Sequence, residues 1–164
     1  MQTCTNTIAH HEAAHAVIMY RVAGFTGGQI AILHNDERGR LGIALHGVSD
    51  SENTEHLKAV VLSCYAGGIA QRKCDPKEGT NGCEIDDQVA RKCLGWLREL
   101  NLEPYYRDQA AVLVEKHWSE ISTVAEQLRN RKILDETEVE TISDAVSGDP
   151  ELWGLLERFR LAKK

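Results

Sequence analysis

Apolar positions recur at helical spacing along most of the chain, and the interruptions fall at residues that end helices. Residues 6 to 22 form one such run, closed by Gly24 and followed by a turn at Gly27 and Gly28. "QIAIL" (29–33) and "LGIALHG" (41–47) predict two short strands, joined by the polar loop "HNDERGR" as a hairpin. Residues 53 to 72 predict a second helix, with Leu57, Val60, Val61 and Cys64 on one side. Its late "AGG" (66–68) lets another element approach closely. Residues 73 to 82 are rich in turn formers, and a helix follows over 84–99. A single long helix is expected over about 105 to 130, from Ala110, Val114, Trp118, Ile121, Ala125 and Leu128. A shorter one follows, capped by Asp135 with Glu138 three residues on and closed by Gly148. A last helix over 150–161 starts at Asp149 and Pro150, with Leu152, Leu155, Leu156 and Phe159 as its apolar stripe. The expected fold is mainly α (α+β), with a small β-hairpin near the N-terminus. Residues 1–147 make the domain, and 148–164 an amphipathic helix that packs on it or serves assembly.

Composition narrows the function. The 164 residues suit one domain with a core of its own. A net charge of −6 without a basic stripe argues against nucleic acid, whose binding depends on neutralising phosphates. No apolar run approaches the roughly 20 residues of a membrane helix, and no secretory leader is seen. The five cysteines include no CxxC pair, so a cytoplasmic protein with reduced thiols is expected. Cys74 and Cys83 flank a loop, but two cysteines do not make a structural zinc site.

One stretch does not fit a plain apolar helix. "HHEAAHAVIM" (10–19) places His11, Glu12 and His15 where nearly every neighbour is apolar. Two imidazoles and a carboxylate are costly there unless something satisfies them. Residues four apart lie on one helix face, so His11 and His15 can reach one metal ion. Glu12, rotated by about 100°, suits a general base acting on water at that ion. This is the HExxH arrangement of zinc hydrolases. His10 lies on another face, with a structural or solvent-facing role.

A catalytic zinc takes a third protein ligand. In "CEIDDQVARKCLGWL", Asp86 shares a face with Val89, Ala90, Cys93 and Leu97, so it points inward. Asp87 shares one with Arg91, Leu94 and Arg98 and reads as a solvated acid. Asp86 leads as the candidate, with Glu84 and His46 as alternatives.

On these residues the chain resembles the peptidase domain of the FtsH family of AAA+ zinc metalloproteases. "HEAAHAV" is similar to that family's HEAGHAV, and "LGIAL" falls where the family has a strand beginning LGY. "AGGIAQR" resembles its GGRAAEE, and "GCEIDDQVA" its GASNDLxxA, which aligns Asp86 with the family's third zinc ligand. The resemblance spans about residues 8 to 145 and ends in helices that are similar mainly in pattern. It departs at Ala14, a glycine in the family, at Ile85, an asparagine there, and at Arg72 and Lys73, which replace paired glutamates. It implies a helical, zincin-like fold and one Zn²⁺ per chain. No Walker A sequence occurs in the chain, so a free-standing, ATP-independent peptidase domain is expected. A homo-oligomer and a separate ATPase partner follow only by analogy with the family's shared ring.

Three functions compete. A zinc endopeptidase would use His11, His15 and Asp86 as ligands and Glu12 as base, with peptides or unfolded segments as substrates. One hairpin strand, 41–47 above all, would take an extended peptide by strand addition. A metal-bearing binding module would act through the hairpin edge or helix 150–161 and would not need Glu12. A purely structural zinc would be closed and cysteine-rich, which this set is not.

Overall fold

The computed structural model describes residues 2–32, 42–44, 53–77 and 83–163, with side chains from residue 5 and without those of 42–44. Within them lie seven α-helices and three short strands. The chain is mainly helical with a small antiparallel sheet, and no described helix is long and apolar enough to cross a membrane.

Helix α1 (Gln2–Ala23) runs through the centre. Ala9, Ala13, Ala14 and Ala16 are fully buried beside Val17 and Ile18. Alanine combines high helix propensity with a small side chain, so neighbouring helices close in on α1. The helix stops at Gly24, which takes φ +82° while its N–H bonds Tyr20 O at 2.8 Å. Gly27 and Gly28, also at positive φ, turn the chain into β1 (Ile30–Ile32), whose three residues are all buried.

β1 pairs antiparallel with β2 (Gly42–Ala44), as expected for the hairpin. Its other edge pairs with β3 (Ile133–Leu134), which periodicity did not indicate. The sheet order is therefore β2-β1-β3, with β2 at an edge. The loop 34–40 and the outer ends of both predicted strands lie outside the described residues.

Helix α2 (Thr54–Cys74) begins at Asn53, whose side chain accepts from His56 N at 3.1 Å. It packs along α1 on one side and on α3 (Glu84–Leu97) and α4 (Glu103–Lys116) on the other. Leu57, Val60, Val61 and Cys64 join Ala90, Cys93, Leu94, Tyr106 and Ala110 in one apolar cluster. A second forms around α1, the sheet, α5 (Trp118–Arg131) and α6 (Glu136–Ser147). Helix α3 ends at Arg98, held left-handed at φ 59° with its N–H on the last carbonyls.

The long helix expected over 105–130 is two helices, broken at His117 (φ −106°, ψ 20°). The apolar period stays in phase across the break. The packing partner changes, because α4 lies on α2 and α5 lies on α1. The break redirects the chain from one partner to the other.

Asp135 and Glu138 form a complete capping box at the start of α6, and Gly148 closes it. The last helix, α7 (Leu152–Ala162), begins two residues later than expected and packs on α6. Its inward side is Trp153, Leu156 and Arg160, not the four-residue stripe read from sequence. Leu156 is buried, Leu155 is exposed, and Arg160 donates to buried Glu138 at 2.8 Å.

Candidate metal centre

The close packing of α1 on α2 sets the site. In α2, Ser63, Gly67 and Gln71 fall four apart on the stripe that meets His15 and His11 of α1. Gly67 lies directly under the imidazoles. A Cβ there would sit 2.6 Å from His15 Cε1 and Nε2 and 3.0 Å from His11 Cε1. Only glycine leaves room for both rings.

The two residues flanking Gly67 on that stripe orient the rings. His15 Nδ1 lies 2.8 Å from the Ser63 carbonyl, and His11 Nδ1 lies 3.1 Å from Gln71 Oε1. Both partners accept, so each imidazole carries its proton on Nδ1 and presents a bare Nε2. Ser63 Oγ also donates to His15 O at 2.9 Å, locking the helices together.

The bare nitrogens face each other and a carboxylate. His11 Nε2 and His15 Nε2 are 2.9 Å apart, and Asp86 Oδ2 lies 3.1 and 3.5 Å from them. Asp86 reaches inward from the first turn of α3, above buried Ala90 and Cys93. Asp87, one residue on, turns to Arg107 at 3.0 Å. With both imidazoles neutral, three acceptors converge here and repel one another unless a cation, a proton or a metal ion, sits between them. The His11 pKa expresses this. Burial pulls it down, but Asp86, Cys83 and Glu12 outweigh burial and raise it to about 10. Burial likewise opposes ionisation of Asp86, and the two imidazoles hold it below the usual carboxylate range.

A divalent metal fits this set. The sides of the triangle are each shorter than twice a zinc–ligand bond of about 2.0–2.2 Å, so one ion reaches all three atoms. Among the described residues no other group of histidine, cysteine and acidic side chains converges in this way. Two imidazoles and one carboxylate leave a coordination position open, unlike the closed cysteine-rich sites of structural zinc.

Glu12 is the remaining buried charge. It is only 6 % exposed, and its Oε2 has no hydrogen-bond partner among the described residues. Burial raises its pKa, and the two histidines oppose the rise only in part. A buried carboxylate oxygen without a partner among the described residues, beside a candidate metal site, marks Glu12 as a candidate for proton transfer.

Of the alternatives for the third ligand, Glu84 is exposed and apart from the triad, and His46 lies outside the described residues. His10 stacks on Trp118 at 5.4 Å between ring centres and bonds Asn6 O, a structural placement. Neither Cys74 nor Cys83 is in a disulfide, and Asn6 Nδ2 donates to Cys74 Sγ at 3.1 Å. Cys83 packs against Gly68 and lies 3.9 Å from Gln71 Oε1. The residues that sequence reasoning missed are Ser63 and Gln71, although their four-residue spacing around Gly67 repeats that of His11 and His15.

No protein-family model matches the chain, and no curated protein matches it.

Proposed function

We propose that the chain is a zinc-dependent metalloendopeptidase, acting on peptides or unfolded segments without ATP. The observation that carries this proposal is the pairing of the His11–His15–Asp86 cluster with buried Glu12, whose Oε2 has no hydrogen-bond partner among the described residues. His11, His15 and Asp86 would hold one zinc per chain, which when bound polarises a scissile carbonyl and lowers the pKa of a water. Glu12 takes the proton of the attacking water and delivers it to the leaving amine nitrogen. Gly67, Ser63 and Gln71 hold the imidazoles, so the ligands need no rearrangement. β2, at the sheet edge, is the strand to which an extended substrate adds.

The resemblance to the FtsH peptidase domain supports the same chemistry and a zincin-like fold, while cysteines without a CxxC pair support a cytoplasmic setting. In the alternative, a metal-bearing binding module, Glu12 would have no task, and burying it would be cost without return.

Glu12→Gln tests the proposal. The variant should keep its metal and cleave unfolded casein about 10²–10⁴-fold more slowly. Unchanged cleavage would refute the role of Glu12. No cleavage by the native protein, zinc supplied, would hand the function to the binding module.

A further inference from the structure

Beside the triad, a cleft of about 110 Å³ opens between α2, α3 and α4. Its wall includes Tyr65, Gly68, Arg72, Cys83, Asp87 and Arg107. It borders the triad through neighbours in the chain: Gly68 follows Gly67, Asp87 follows Asp86, and Cys83 adjoins Gln71. The volume suits one side chain, not a cofactor.

Its charges are unevenly matched. Arg107 donates to Asp87 at 3.0 Å and to Glu103 at 2.8 Å, and its guanidinium lies 4.1 Å over the Tyr65 ring. Glu84, the other carboxylate on the wall, is exposed and already engaged. Arg72 has no ion-pair or hydrogen-bond partner among the described residues. The Tyr65 hydroxyl is a second unmet group, buried and without a partner in a residue only 3 % exposed. Burial pushes its pKa up to about 12, so it remains a donor at neutral pH. A cation and a donor that both lack partners among the described residues, in a side-chain-sized cleft, match a carboxylate.

We infer that this cleft is a specificity subsite that accepts an acidic side chain, glutamate or aspartate, of a peptide lying across the metal centre, with Arg72 pairing its carboxylate and Tyr65 donating to it. The inference rests on the peptidase proposal for its catalytic meaning, while the binding preference is measurable without catalysis. A glutamate entering the cleft leads with its carboxylate, toward Arg72 and the Tyr65 hydroxyl, and its methylenes follow against the cleft wall. Lysine meets Arg72 with like charge, and leucine leaves the Tyr65 hydroxyl unpaired.

The test uses the full chain as the zinc-supplied Glu12→Gln variant, which holds peptides without turning them over. Fluorescence anisotropy would measure a set of labelled decapeptides, identical but for Glu, Gln, Lys or Leu placed at each position in turn. At one position Glu should bind about fivefold tighter than Gln, and Lys weaker than both. Adding Arg72→Glu, an exposed change that leaves the core intact, should abolish or invert the Glu-over-Lys order. Tyr65→Phe, which keeps the ring under Arg107, should lower the Glu-over-Leu ratio about threefold. No position favouring Glu, no peptide binding, or a Glu preference that survives Arg72→Glu would overturn the subsite. Cleavage of the same peptides by the native chain is scored separately. Failure there would sink the peptidase proposal and leave the binding preference standing on its own result.

Discussion

Helix α1 carries two clusters of buried polar groups, and they are built on opposite principles. Toward its C-terminal end, Arg21 donates from Nε to buried Glu120 at 2.7 Å, from Nη1 to Asp144 at 2.9 Å and from Nη2 to Ser147. Glu120 also lies 2.9 Å from His117 Nδ1, and Tyr20 donates to Asp144 at 2.8 Å. Donors and acceptors match there, and the network pins α1 to α5 and α6. Two turns earlier, His11 Nε2, His15 Nε2 and Asp86 Oδ2 converge on one point, and Glu12 Oε2 has no partner among the described residues. The first cluster is complete within the described chain. The second is one that a cation would complete, and the proposed chemistry would use its Glu12 on a proton. Burial alone does not separate structure from function here, since Glu120 at 5 % and Glu12 at 6 % exposure are alike. What separates them is whether the partners are present.

Substitutions should divide along the same line. The largest effect on stability is expected from Arg21→Ala, which leaves Glu120 buried beside only His117. We expect a loss of about 3 kcal/mol in denaturant unfolding, with zinc affinity unchanged. A parallel loss of zinc would mean that the two clusters are coupled through α1. Gly67→Ala should act in reverse. Its methyl group collides with both imidazoles, so metal affinity should fall by about 100-fold or more, with about 2 kcal/mol of stability lost. By contrast Gly95, with open space around it, should tolerate alanine without loss of metal. Equal zinc affinity in Gly67→Ala and the native chain would show that the rings have slack which the packing does not suggest. The smallest change is Gln71→Ala, which frees His11 Nδ1 without touching a ligand atom. Zinc affinity, read by competition with a chelator, should drop about tenfold to 100-fold while folding stability moves by less than about 1 kcal/mol.

The legible parts were those governed by near neighbours in the chain. The i, i+4 pair of His11 and His15, the capping box of Asp135 and Glu138, and the inward face that carries Asp86 all follow from helical spacing. The illegible parts depend on partners distant in sequence. The break at His117 leaves the apolar period intact and exists because α4 and α5 pack on different helices. β3 has two residues, too few to show a period, and is created by pairing with β1. The inward side of α7 includes Arg160, which is polar by type and becomes interior through buried Glu138. Ser63 and Gln71 are ordinary residues of an apolar helix until α1 lies against them.

The most direct test is the zinc content of the purified chain beside Asp86→Ala, with zinc supplied to both. About one zinc per native chain and little in the variant is the expected result. No zinc in the native chain, or full retention in Asp86→Ala, would contradict the metal centre on which the proposed chemistry depends.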